Sequence, residues 1–165
     1  AKMIEGNASI GAKRQVFMVS LGGFDTHDNM KEIHPKLLAR LGEGMAAFQQ
    51  SMTDIGMADQ VTTFTASDFG RTLTSNGDGS DHGWGSHHFI MGGAVDGGKY
   101  LGTAPTTKLD MGEDVGRGAL LPTTSVDQYA ATLALWFGAS ASELPLILPN
   151  IGNFSTKRLP LFKRA

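Results

Sequence analysis

The apolar positions of this chain fall into one continuous run and two helical stripes. Residues 14–21 (RQVFMVSL) carry Val, Phe, Met and Leu almost without polar interruption, the pattern of a strand buried on both faces. Within residues 28–57, Leu37, Leu38, Leu41, Met45, Phe48, Met52 and Ile55 recur at steps of three and four, which predicts a long helix with one apolar face. Pro35 suits its first turn and Gly56 its C-terminal cap. Gly42 and Gly44 each cost about 1 kcal/mol relative to Ala, so packing has to hold the helix, and its Met and Phe stripe reads as core. Residues 60–67 (QVTTFTAS) are rich in β-branched side chains and predict a second strand. Strand, helix and strand with short joints predict a right-handed βαβ unit with parallel strands. The C-terminal ends of those strands then lie side by side, where open α/β sheets bind ligands.

Residues 72–88 are too long and too glycine-rich for a simple turn, and loops of this kind are functional or disordered. A short strand is expected over 89–95, then a polar excursion over 99–121 with room for a small hairpin. Ser125 and Gln128 have the spacing of a capping box, opening a helix whose buried face is Val126, Tyr129, Ala130, Leu133, Trp136 and Phe137 and which Gly138 ends. Residues 144–150 carry two prolines and are expected to wrap the surface. Residues 1–13 read as the end of a helix, so the chain looks like a late segment of something longer. The fold class expected is α/β, a mainly parallel sheet flanked by helices, as one domain spanning 1–165.

Composition narrows the functions. The 165 residues are 41% hydrophobic and 18% charged with a net charge of -2, an ordinary globular balance that gives no electrostatic case for nucleic acid or an anionic membrane. Cysteine is absent, which excludes disulfides and thiolate metal sites. No apolar run approaches the ~18 residues of a membrane-spanning helix. Residue 1 onward lacks the order of a signal peptide, so any export signal would lie in a longer parent chain.

The candidate chemistry sits at the predicted strand ends. Asp25, His27, Asp68, Asp81 and His82 offer carboxylate oxygen and imidazole nitrogen, which suit zinc, manganese or a similar divalent ion. Arg71 either grips an anion bidentately or pairs with Asp68. At most one of His87 and His88 is expected to be a ligand, because neighbours in a strand point opposite ways. His34 is expected at the surface, and Trp84 is expected to anchor the loop or wall a pocket. Neither Ser67 nor Thr26 lies in a G-x-S-x-G elbow, and no G-x-G-x-x-G or P-loop follows a strand.

The stretches SLGGFDTH, VTTFTASDFGR, NGDGSDHGWGSHHFIMGGAV and PTTSVDQYAATLALWFG together resemble the C-terminal half of a bacterial domain-of-unknown-function family numbered 1501, over nearly the whole chain. That family is grouped with the sulfatase and alkaline phosphatase-like superfamily of α/β sandwiches with paired divalent metals. The resemblance implies a partial alkaline phosphatase-like fold and a longer, often exported parent, hence a periplasmic location. It implies that the N-terminal half of the parent is the natural partner; a lone chain, exposing part of its sheet, is expected to self-associate. The implied activity is metal-dependent hydrolysis of phosphate or sulfate esters. Asp25, His27 and His82 would bind one metal, Asp68 a second, and Arg71 the substrate oxyanion, with the nucleophile outside this chain. One departure is plain. Phe69 stands where the superfamily has a His, which leaves a second implication, a non-catalytic binding module of the same fold with a decayed metal site.

Overall fold

The computed structural model describes residues 1–164, and in it the predicted parallel sheet is absent. There are instead two antiparallel pairs, each of two strands. β1 (Thr62–Phe64) pairs with β4 (Ile90–Gly92), setting Thr62 opposite Gly92 and Phe64 opposite Ile90. β2 (Gly70–Ser75) pairs with β3 (Ser80–Gly83), setting Arg71 opposite His82, with an irregularity before Ser75 meets Ser80. The α/β expectation with a parallel sheet is therefore corrected. Parallel pairing would need residues 14–21 to lie about 4.8 Å from β1 under helices on both faces. That segment runs without bend or turn but meets no strand, and Met18 and Val19 stand 93% and 91% exposed. The ladder partner of β1 is the returning chain, whose Phe89 carbonyl also accepts from Thr65 N–H at 2.9 Å.

The glycine-rich stretch expected as a loop is largely the β2–β3 hairpin. Its turn contains Asn76-Gly77 and Asp78-Gly79, residues that tolerate or require the backbone angles of a tight reversal. The Asn76 amide accepts from Gly79 N–H at 2.9 Å and closes that turn.

α1 (Lys2–Glu5) and a following 3-10 turn agree with the helical end expected at the N-terminus. The long helix, α2 (Met30–Asp54), forms within the predicted span. Pro35 lies in its second turn, not its first, and so removes one interior hydrogen bond. Leu37 and Met52 are buried from its apolar stripe, while Leu38 stays 43% exposed.

α3 (Val126–Phe137) opens on the predicted capping box. Gln128 N–H donates to Ser125 Oγ, and Ser125 N–H donates to Gln128 Oε1. Gly138 closes it in the left-handed region at φ 110, where a side chain would be costly. The buried face differs from the one expected: Ala131 and Thr132 are buried, and Val126 is 75% exposed. The reason lies in residues expected to wrap the surface. α4 (Leu144–Ile147) and the 3-10 turn Pro149–Asn153 bring Leu144 and Ile151 against Ala131, with Leu135, Leu148 and Phe154 packed around them. Thr132 ties this core together, donating to Gln128 carbonyl at 2.8 Å and accepting from Leu159 N–H at 2.9 Å.

Candidate metal centre

A hairpin strapped to a helix start builds the site. Asn29, the residue before α2, donates its N–H to an Asp78 carboxylate oxygen, and Met30 N–H donates to the Asp78 carbonyl. Ser80 N–H donates to the Thr26 carbonyl at 3.3 Å, and the Asn76 side-chain amide donates to the His27 carbonyl at 3.0 Å. These bonds lay residues 26–30 along the hairpin turn. Contact there is so close that a Cβ on Gly79 would stand 2.3 Å from the Thr26 carbonyl oxygen. Only glycine fits.

The hairpin register then supplies direction. Directly opposite residues of an antiparallel ladder project to the same face. Arg71 and His82 are such a pair, and both reach Asp25. His82 Nε2 and His27 Nε2 each lie 3.0 Å from Asp25 Oδ1, and the two nitrogens lie 3.1 Å apart. Three ligand-grade atoms from Asp25, His27 and His82 thus converge, and among the described residues this is the cluster of metal-ligand type. All three side chains are about half exposed, so the cluster is open to solvent.

Neighbours orient these ligands. Asp81 Oδ1 lies 3.4 Å from His27 Nδ1, leaving Nε2 turned toward the cluster. A carboxylate on the far nitrogen is the arrangement that fixes a ligating imidazole. Asp81 is itself held by the Asn76 amide and by Arg117. Phe69 stacks on the His82 ring, centroids 3.9 Å apart and planes 15° from parallel.

Charge state follows from these contacts. Desolvation pushes the Asp25 carboxyl up, but the Arg71 and His82 hydrogen bonds and the two imidazoles outweigh it, and the net direction is below the ordinary carboxylate value. Asp81 is also held low, chiefly by the Asn76 amide and then by Arg117. Both carboxylates are therefore ionised at neutral pH, as ligands or their partners must be.

Not every expected residue joins. Among the described residues Asp68 is exposed and makes no ion pair or hydrogen bond. Asp81 stands behind His27. Arg71 donates to Asp25 and to the Ser80 carbonyl, with its side chain only 13% exposed. His88 is elsewhere, its Nδ1 3.3 Å from Thr65 Oγ1 and its ring stacked on Tyr129. His34 packs edge-on to Phe24, and Trp84 is 67% exposed. Arg117 was not anticipated. It comes from the polar excursion, where the Asp114 carboxylate gathers the N–H groups of Asp110, Gly116 and Gly118.

Compared with known proteins, the chain matches a family described as "Protein of unknown function (DUF1501)" over residues 2–138. No curated protein and no solved structure matches it.

Proposed function

The chain belongs to the DUF1501 family of proteins of unknown function, and we propose that its Asp25, His27 and His82 hold a divalent metal serving hydrolysis of phosphate or sulfate esters. The carrying observation is the convergence of one carboxylate oxygen and two imidazole nitrogens within 4.8 Å of one another, with a carboxylate behind one imidazole. Structural ion pairs do not need two histidines turned onto one oxygen. A divalent ion bound by such donors supplies Lewis acidity toward an ester oxygen and lowers the pKa of bound water.

Donor spacing bears on the metal. With bonds of about 2.1 Å, adjacent ligands of an octahedron stand about 3.0 Å apart and those of a tetrahedron about 3.4 Å apart. The separations here, 3.0, 3.0 and 3.1 Å, are short enough for all three atoms to reach one divalent ion of zinc or manganese type. Three protein ligands on one face would leave positions for water and substrate oxygens. Arg71 holds Asp25 and the Ser80 carbonyl, so its first task is to position a ligand; Arg117, 64% exposed at the rim, is the cation better placed to meet an anionic ester.

A non-catalytic binding module is the second reading, favoured by Phe69 on His82 and by the exclusion of Asp68 from the cluster. Metal analysis of the purified chain, followed by assays with p-nitrophenyl phosphate diester and sulfate ester, separates the two. Taking metal-bound water as the nucleophile, the hydrolase reading expects manganese- or zinc-dependent turnover that His82→Ala abolishes. Metal binding without turnover supports the module. Metal-free protein with hydrolysis unchanged in His82→Ala contradicts both.

A further inference from the structure

Residues 157–165 concentrate the positive charge of the chain. They carry four of its 14 Lys and Arg and none of its 16 Asp and Glu, which leaves ten cations against 16 carboxylates elsewhere. A basic patch on an otherwise acidic chain makes a local field that the net charge conceals. The backbone beneath the patch is fastened. The Gln128 side-chain amide donates to the Thr156 carbonyl at 2.5 Å and Leu159 N–H donates to Thr132 Oγ1 at 2.9 Å, which ties the segment to α3. Val95 and Phe162 face each other as an antiparallel pair. Beside them Asp96 N–H donates to the Leu161 carbonyl and Lys163 N–H to the Ala94 carbonyl, both at 2.9 Å. Leu161 is buried.

This fastening frames a cleft. Leu135 and Trp136 of α3, with Arg158, Phe162, Lys163 and Arg164, line an open space of about 520 Å³, a volume in the range of small-molecule sites. Trp136 and Phe162 stack with centroids 5.3 Å apart and planes 8° from parallel, so part of the wall is aromatic. Three cations border the same space, and among the described residues none of them forms an ion pair. Lys163 Nζ donates to the Gly93 carbonyl at 2.7 Å and keeps two further N–H donors. Asp96, next to the Phe162 pairing, holds Lys99 instead. Like charges set around one space repel, and an anion that enters it removes that repulsion.

We propose that this cleft binds a small organic anion with a flat aromatic body, of the nucleoside monophosphate class. Guanidinium forks match phosphate oxygens bidentately, an ammonium adds a point charge, and a base stacks on aromatic side chains. The site shares no residue with Asp25, His27 and His82, so it stands or falls apart from the metal centre.

Titration of the intact chain in EDTA, which keeps phosphate off any bound ion, tests this with adenosine monophosphate, adenosine, inorganic phosphate and a poly-glutamate peptide. Trp84→Phe, at a site 67% exposed, leaves Trp136 as the sole tryptophan and the reporter. Adenosine monophosphate should quench Trp136 fluorescence with a Kd below about 1 mM, at least about 10-fold tighter than adenosine or inorganic phosphate. Arg158→Gln combined with Arg164→Gln, both at exposed positions, should weaken it at least about 10-fold, and Arg40→Gln on α2 should leave it unchanged. No saturable quenching by about 5 mM overturns the proposal. Adenosine binding as well as the monophosphate shows idle cations, inorganic phosphate binding as well shows an idle aromatic wall, and either overturns it. Tighter binding of poly-glutamate, or equal weakening by Arg40→Gln, also overturns it, as a peptide surface or as diffuse charge.

Discussion

Arg71 and His82 face each other across the β2–β3 ladder and bring a guanidinium N–H and an imidazole nitrogen to the same oxygen of Asp25. One register position thereby sets both a candidate ligand and the cation that holds another ligand in place. Because Arg71 also bonds the Ser80 carbonyl, the hairpin and the loop before α2 are joined through its guanidinium.

Arg71→Met should loosen that joint without deleting a ligand. Stability is expected to fall slightly, mainly through the lost bond to the Ser80 carbonyl because Asp25 is half exposed, and metal affinity should fall with it. Urea unfolding with and without manganese reads both. An unchanged midpoint together with unchanged affinity would show that Arg71 positions nothing.

Gly79→Ala tests the strap more sharply. Its Cβ would stand 2.3 Å from the Thr26 carbonyl oxygen and 2.6 Å from that of His27, so one element has to move. Metal affinity should drop at least about 10-fold while α3 and its core keep their circular dichroism signal. Calorimetric titration of the variant checks it.

Tyr129 carries a different consequence. Its hydroxyl is buried with no hydrogen-bond partner among the described residues, and burial pushes its pKa up to about 12. A raised folded value means this group's stability is intact below its ordinary pKa of 10.0 and is lost as pH rises toward 12. Tyr129→Phe is expected to be neutral or to stabilise by about 1 kcal/mol at neutral pH and to blunt that alkaline loss. Melting temperatures at pH 8 and pH 11 distinguish the outcomes.

Thr132→Val should behave oppositely. It keeps the shape but deprives the half-buried Leu159 N–H of its acceptor, at a cost of about 0.5–1.5 kcal/mol. Ser125→Ala, which removes only the cap of α3, should cost about 1 kcal/mol. Thermal unfolding of the two variants side by side gives the ranking.

How much of this was legible in the sequence depended on range. The capping box at Ser125 and Gln128, the Gly138 terminus and the span of α2 are local, set by residues three or four apart, and they formed as expected. Of the five candidate ligands read from residue type, Asp25, His27 and His82 converge, while Asp81 stands behind His27 and Asp68 lies apart. The strand partners did not follow, because residues 14–21 show what they would bury but not against what. Asn76-Gly77 carried a hairpin signal that the glycine content of the surrounding stretch masked. The α3 face rotated because the proline-bearing segment of α4 and the 3-10 turn after it, with little periodicity, supplies Leu144 and Ile151 to the core. Arg117 belongs to an irregular loop ordered by one aspartate, and no spacing rule connects it to Asp81 across 36 residues.

Calorimetric titration of the metal-stripped chain with manganese and with zinc, on wild type, Asp25→Asn and His82→Ala, bears most directly on the centre. One equivalent should bind wild type, with affinity at least about 10-fold weaker in each variant. No binding to wild type, or binding that both variants retain unchanged, would contradict a metal centre at Asp25, His27 and His82.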